Sequence, residues 1–300
     1  MTADAYLIGR RSGDLKSITS QALDYLYVGQ RLDDETLTNQ TFEHCTFANI
    51  SFKKGILENC RFIDCVFIDC YFRDTQIKDC SFSSSKFIDC NFTKVDMRAT
   101  DFRWYNSFSG CYLPYQTVMH CLPAEGNLKN HLCSNLANEA LNAGEWADSQ
   151  SFRQAAAAGK EQDLKAILRR SNDFYKEKYN GQDQINAAWA YLGSRAHGRI
   201  WGYSRSHYVL MRNWALFTFL IFPWIFIAFG DSIQYNNHPV NFIEAEIASA
   251  GNMMPGSSIS SVKFTSVAVQ SVAFVEAFIG LSFVGLAVSL LFSAVDRKRG

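Results

Sequence analysis

Bulky apolar residues recur every five positions from Leu37 to Phe102. They stand at Leu37, Phe42, Phe47, Phe52, Leu57, Phe62, Phe67, Phe72, Ile77, Phe82, Phe87, Phe92, Met97 and Phe102, without insertion. Ten of these fourteen are Phe, so the spacing is not chance. Two residues before each apolar position from Phe42 on is a small or medium side chain: Cys45, Ile50, Gly55, Cys60, Cys65, Cys70, Thr75, Cys80, Ser85, Cys90, Val95 and Thr100, with only Gln40 out of character. The other three places in each block are mostly polar. A period of five fits neither an α-helix at 3.6 nor a plain strand at 2. Each block can bury only two side chains, so it cannot fold alone, whereas stacked blocks bury a continuous column.

Elsewhere the periodicity changes. Ser17–Gln30 has helical spacing and is expected to cap the open end of the column. From about Asn127 the stripe Leu132, Leu136, Ala140 predicts a helix ending at Gly144. A second helix is expected over Glu145–Ala158, stopping at Gly159, and a third carries Leu164, Ile167, Leu168 and Tyr175 up to Asn180-Gly181. Trp214–Gly230 then runs seventeen residues without a charge, and Phe264–Val295 runs thirty-two with only Glu276. A bilayer crossing takes about 20 residues; the second run exceeds this, and the first reaches it when Tyr208–Met211 are counted back with Arg212 snorkelling. The expected spans are about 209–230 and 270–295. Counting twenty back from Val295 puts Glu276 near the interface, where it is either a carboxylate of a pore vestibule or an interfacial acid. Gly280 and Gly285 are candidates for a hinge or for helix packing. The segment between the spans has room for a short helix over Asn241–Met254.

Four segments follow: an N-terminal cap over 1–36, the repeat over 37–113, a helical connector and membrane-interface helix over 114–206, and a two-span module over 207–300. Trp201, Tyr203, Arg205, Arg212 and Trp214 before the first span, and Arg297, Lys298 and Arg299 after the second, have the residue types of interfacial anchors. The intervening stretch has one lysine, Lys263, against Asp231, Glu244 and Glu246. The positive-inside rule therefore places both termini, and the repeat, in the cytoplasm.

Composition adds little. The chain has 29 basic and 29 acidic residues. Between Leu37 and Arg103 nine basic residues face nine acidic ones, which argues against a duplex-like acidic surface and so against nucleic-acid mimicry. The aromatic and basic residues of 182–212 could suit nucleic acid, but the apolar run that follows reads them as interfacial anchors, so no nucleic-acid partner is expected. Of nine cysteines, six occupy the small position of the repeat and read as core fillers that stay thiols in a reducing compartment. No metal-ligand spacing, nucleophile with base, or phosphate loop is evident, so neither an enzyme nor a cofactor is expected.

The repeat resembles the pentapeptide-repeat family, which implies a right-handed quadrilateral β-helix with four blocks per coil. Fourteen blocks then make about three and a half coils, about 17 Å tall at roughly 4.8 Å per coil. Ile200-Trp201-Gly202-Tyr203 and the Glu276-Ala277 start of an inner helix with Gly280 and Gly285 resemble bacterial pentapeptide-repeat proteins that carry a two-span ion-channel module of the potassium-channel pore-loop type. That likeness implies an inner-membrane homo-oligomer, a tetramer, with a re-entrant pore loop passing monovalent cations. The cytoplasmic repeat would sense a signal or dock a protein partner. The family's interval puts the filter at Pro255–Ser261, with Gly256, Ser257, Ser258, Ser260 and Ser261 as candidates. No Gly-Tyr-Gly stands there, which leaves selectivity open. The competing expectation is a membrane-anchored repeat scaffold that conducts nothing.

Overall fold

The structure is a computed structural model that describes residues 11–18, 20–201, 207–236, 238–254 and 262–296. It divides into two compact units, residues 1–188 and 189–300.

The first unit is built on the five-residue period. Strands of two to four residues stack in parallel sheets of six, five and four strands among the described residues. A ladder of single bridges, Arg31–Ser51–Tyr71–Asn91, makes the fourth face. Partners are twenty residues apart, as in Phe42↔Phe62↔Phe82↔Phe102, so four blocks close one square coil. The corners explain the polar places. Two residues after each apolar position the backbone takes positive φ, as at Asp64, Asp69, Asp74 and Asp79, between 50° and 59°. Asp and Asn tolerate this left-handed conformation better than other non-glycine residues, which accounts for their recurrence there.

The apolar residues stack inside as the spacing predicts. Phe42, Phe62, Phe82 and Phe102 form one column with ring centroids 5.1, 4.9 and 5.6 Å apart. Tyr27, Phe47, Phe67, Phe87 and Phe108 form a second at 5.3, 4.6, 4.8 and 4.6 Å. Phe52, Phe72 and Phe92 form a third at 5.0 and 4.9 Å. Neighbouring columns meet edge to face, as Phe62 and Phe67 do at 68°, an arrangement favoured by the ring quadrupole.

The small positions are more than fillers. Cys60, Cys65, Cys70, Cys80 and Cys90 each point Sγ at the carbonyl of the residue 23 earlier, between 3.4 and 3.6 Å. Thr75 and Thr100 do the same with Oγ1 at 2.7 and 3.2 Å. A compact donor fits this place because the carbonyl below lies in the dry core, where an unmet polar group is costly. All nine cysteines are buried free thiols. Burial holds the thiols of Cys65 and Cys90 well above the ordinary value, and pushes Cys133 up to about 11. At mildly alkaline pH the folded chain should react with none of its thiols over minutes in an aromatic-disulfide assay, and with all nine after unfolding.

The N-terminal helix expected over Ser17–Gln30 is not there. Gln21–Leu23 and Tyr25–Val28 are strands, paired with Thr41–Glu43 and Thr46–Ala48. Ala22, Tyr27 and Leu32 continue the five-residue register upstream of Leu37 and are buried. Asp24 and Gly29 take the corner positions at φ of 60° and 64°, which a helix does not accommodate. The coil therefore begins well inside the segment assigned to the cap. Before it, the short 3-10 turn Leu15–Ser17 buries Leu15, whose amide donates to Gln30 Oε1 at 2.8 Å, and Arg11–Ser12 pairs with Tyr25–Leu26.

At the other end the register slips once, so Phe108 rather than a residue 107 pairs with Phe87. Asn106 fills the small position two residues before Phe108. Its Nδ2 donates to the Phe82 carbonyl at 3.0 Å and its Oδ1 accepts from the Ser85 amide at 2.9 Å. After helix α1, Tyr115–Val118, helix α2, Gly126–Asn142, closes the coil. Asn135 on α2 imitates the next strand: Oδ1 accepts from the Phe108 amide at 2.7 Å and Nδ2 donates to its carbonyl at 2.8 Å. Asn135→Ala should cost about 1–3 kcal/mol, since it leaves an edge amide and carbonyl unmet; denaturant titration measures it.

Gly159 does not end a helix. Helix α3 runs Trp146–Arg169 through it. A Cβ at Gly159 would sit 2.8 Å from the Gly126 carbonyl, so glycine here allows α2 and α3 to approach closely. The true stop is Arg170, at φ 47°. Asn172 then caps a short α4, Asp173–Lys178, by accepting from the Tyr175 amide at 3.1 Å. Gly181 opens α5, Gly181–Trp201, rather than closing the helix before it.

In the second unit, α6, His207–Leu216, passes through a π-helical turn, Phe217–Ile221, into α7, Phe222–Ala228. Pro223 lacks the N–H that would continue the α ladder, and the wider turn precedes it. Helix α8 is Phe242–Met253 and α9 is Val267–Asp296. By length and composition Met211–Ala228 and Val267–Ser289 are apolar enough to cross a membrane.

Candidate functional site

The second unit centres on α8. The capping box at its start is complete: Asn241 Oδ1 accepts from the Glu244 amide and Glu244 Oε2 accepts from the Asn241 amide, both at 3.0 Å. Ala245, Ala248, Ser249 and Met253 are buried at helical spacing. Small side chains on this stripe let the backbone come close to its neighbours. The excursion that contains α8 is drawn together at its base. Ile233–Tyr235, just after α7, pairs antiparallel with Val262–Phe264, just before α9, and His238–Pro239 adds a third strand.

Two contacts fix α8 against α9. Glu276, fully buried, accepts from Ser249 Oγ at one carboxylate oxygen and from Asn252 Nδ2 at the other, the latter at 2.7 Å. Asn252 Nδ2 also donates to the Ala273 carbonyl at 2.6 Å. Near the end of α8, Met253 lies on Gly280: a Cβ there would meet the Met253 carbonyl carbon and Cα at 2.8 Å. Gly280 is thirteen residues into α9, about 20 Å along its axis.

Glu276 is thus not exposed within the chain but buried against α8. The count of twenty back from Val295, which put Glu276 at the interface, left out the first turns of α9, which begins at Val267. Those turns are apolar and expose Phe274 and Val275, while Glu276 points inward to α8. Ser249 and Asn252, three apart on one helix face, meet its two oxygens, which is how an acid is kept within an apolar helix. Their spacing and the single acid within the apolar run Phe264–Val295 were the available signal for this cluster. Gly280 is a packing glycine, whereas a Cβ at Gly285 meets nothing within 4 Å.

The candidate filter residues Gly256, Ser257, Ser258, Ser260 and Ser261 lie outside the described residues. So do Tyr203, Arg205, Arg297, Lys298 and Arg299. Trp201 is the last residue of α5. On α6, Arg212 is exposed and its guanidinium donates to Asn213 Oδ1 at 3.2 Å. Trp214 packs toward Phe283 of α9. Among the described residues no three His, Cys, Asp or Glu side chains converge on a metal position.

The sequence profile of the SV2A/B/C luminal domain matches residues 27–112, within the coil. No curated protein matches the chain. Among solved structures, full-length QnrB1, a plasmid-mediated fluoroquinolone resistance protein, is similar at 24% identity and a TM-score of 0.25, over 30% of this chain and 46% of that one. A trypsin-treated form of QnrB1 is similar at 22% identity and a TM-score of 0.22, over 32% of this chain and 55% of that one. The chain thus spans about half the length of these two structures.

Proposed function

We propose that the protein is an oligomeric pore-loop membrane protein of the bacterial inner membrane, with its five-residue-period solenoid held at the cytoplasmic face as a sensor or docking domain. The observation that carries this reading is the meeting of Met253 with Gly280. With α9 crossing the bilayer, the last turn of α8 is about 20 Å along it, well inside a hydrocarbon core of about 30 Å. A short helix that ends at that depth between the two membrane-length helices has the layout of a re-entrant loop. Backbone without regular structure is tolerated at such depth where protein or a water-filled cavity surrounds it. The charge asymmetry around the spans supports cytoplasmic termini, and the resemblance supports a tetramer passing monovalent cations.

A second reading, a membrane-anchored scaffold without conduction, is favoured by one feature: Pro255–Ser261 lacks the Gly-Tyr-Gly of a potassium filter. Cation flux into liposomes that hold the full chain separates the two. The pore reading expects dye-reported flux of monovalent cations above that of empty vesicles. Vesicles that stay tight with the oligomer verifiably inserted overturn it and leave the scaffold.

A further inference from the structure

Helix α5 presents its large apolar residues away from the protein. Its buried side is small, centred on Ala187 at 5% exposure. Ile185, Trp189 and Leu192, at spacings of four and three residues, form one stripe that is 54%, 72% and 58% exposed. Large side chains outward and alanine inward is the reverse of an ordinary packed helix, so this stripe needs another apolar medium.

The charge beside it says which medium. From Gln184 to Arg212 there is no acidic residue, while Arg195, Arg199, Arg205 and Arg212 are basic. Arg195 lies over the Tyr191 ring at 5.7 Å, next to the stripe. The chain then allows little freedom. Five residues separate Trp201 from His207, so chain length alone keeps the end of α5 within about 20 Å of the start of α6. Because α6 leads into the first membrane-length helix, α5 is tethered near the bilayer surface.

We infer that α5 is an interfacial helix that lays Ile185, Trp189 and Leu192 into the acyl boundary of an anionic phospholipid surface, with Arg195 on the headgroup phosphates. This rests on the membrane reading above. A helix with an apolar stripe, a basic complement and a tryptophan is suited to the interface plane, and each arginine near an anionic surface strengthens the attachment roughly five-fold. Through α5 the lipid charge would set how firmly the connector is held to the membrane, a regulation the spans alone do not provide.

The test uses the full chain in proteoliposomes of phosphatidylcholine with and without phosphatidylglycerol. Nitroxides are placed singly by Trp189→Cys and Leu192→Cys on the stripe, by Ala190→Cys on the exposed flank, and by Leu281→Cys on α9. With phosphatidylglycerol present, labels at 189 and 192 should collide mainly with oxygen and the label at 190 with a water-soluble nickel chelate. Arg195→Gln should shift the stripe labels several-fold toward nickel. The inference is overturned if nickel reaches 189 and 192 as freely as 190 while the label at 281 remains in lipid. It is also overturned if neither reagent reaches the stripe, which would place a second copy or another protein on it. A label at 281 open to nickel overturns the membrane reading itself.

Discussion

Replacing Phe67 by alanine lowers the stability of the solenoid by about 3–5 kcal/mol, the range for truncating an enclosed aromatic ring. Phe67 sits midway in its column, with Phe47 at 4.6 Å and Phe87 at 4.8 Å. Phe62, Phe72 and Phe82 surround its edges at 5.4, 5.8 and 6.1 Å. Its neighbours are held by strand pairing above and below, so the cavity has little means of collapse. Phe102→Ala, near the end of its column with Phe82 at 5.6 Å and Phe108 at 5.7 Å, should cost clearly less. Denaturant titration of the full chain, followed by the β-sheet circular dichroism, measures both. Equal costs would contradict a continuous ladder in which inner rungs are supported from both sides.

Gly280→Val has its largest effect elsewhere. The added atoms meet Met253 backbone rather than the end of a flexible side chain, so α8 must leave α9 or α9 must shift. Overpacking of this kind costs about 1–3 kcal/mol or more, and it also pulls Ser249 and Asn252 off Glu276. Under the pore reading, cation flux falls to the level of empty vesicles, while denaturation of the solenoid, which belongs to the other compact unit, is unchanged. Gly285→Ala, whose Cβ meets nothing in the chain, should leave flux intact. Normal flux in Gly280→Val would show that the seat of α8 on α9 is dispensable.

The Phe ladder was legible because blocks that bury two side chains each must stack, and the resemblance to pentapeptide repeats supplied the four blocks per coil that set Phe42 on Phe62. The first coil was hidden because Ala22, Leu23, Leu26, Tyr27 and Val28 also fit a helical stripe. Asp24 and Gly29 at the corner positions were the deciding signal, and their meaning comes from backbone conformation rather than hydrophobicity. The cysteines were legible as small and buried, but their use as donors to the coil below depends on a carbonyl 23 residues away. Gly159 reads as a stop by composition alone, since only the facing Gly126 reveals a close approach. The short helix between the spans was expected only because the segment had room for one; its Asn241 capping box came to light in the structure. What Glu276 touches was not legible, because its partners lie 24 and 27 residues away on another helix.

The most direct test of the whole account is the level of Met253 in the bilayer. A structure of the full chain in lipid nanodiscs, read against the two lipid leaflets, measures it. The account predicts Met253 beside Gly280 within the hydrocarbon layer, with α8 descending from one headgroup plane. Helix α8 lying outside the headgroups, with Met253 in water, would contradict it.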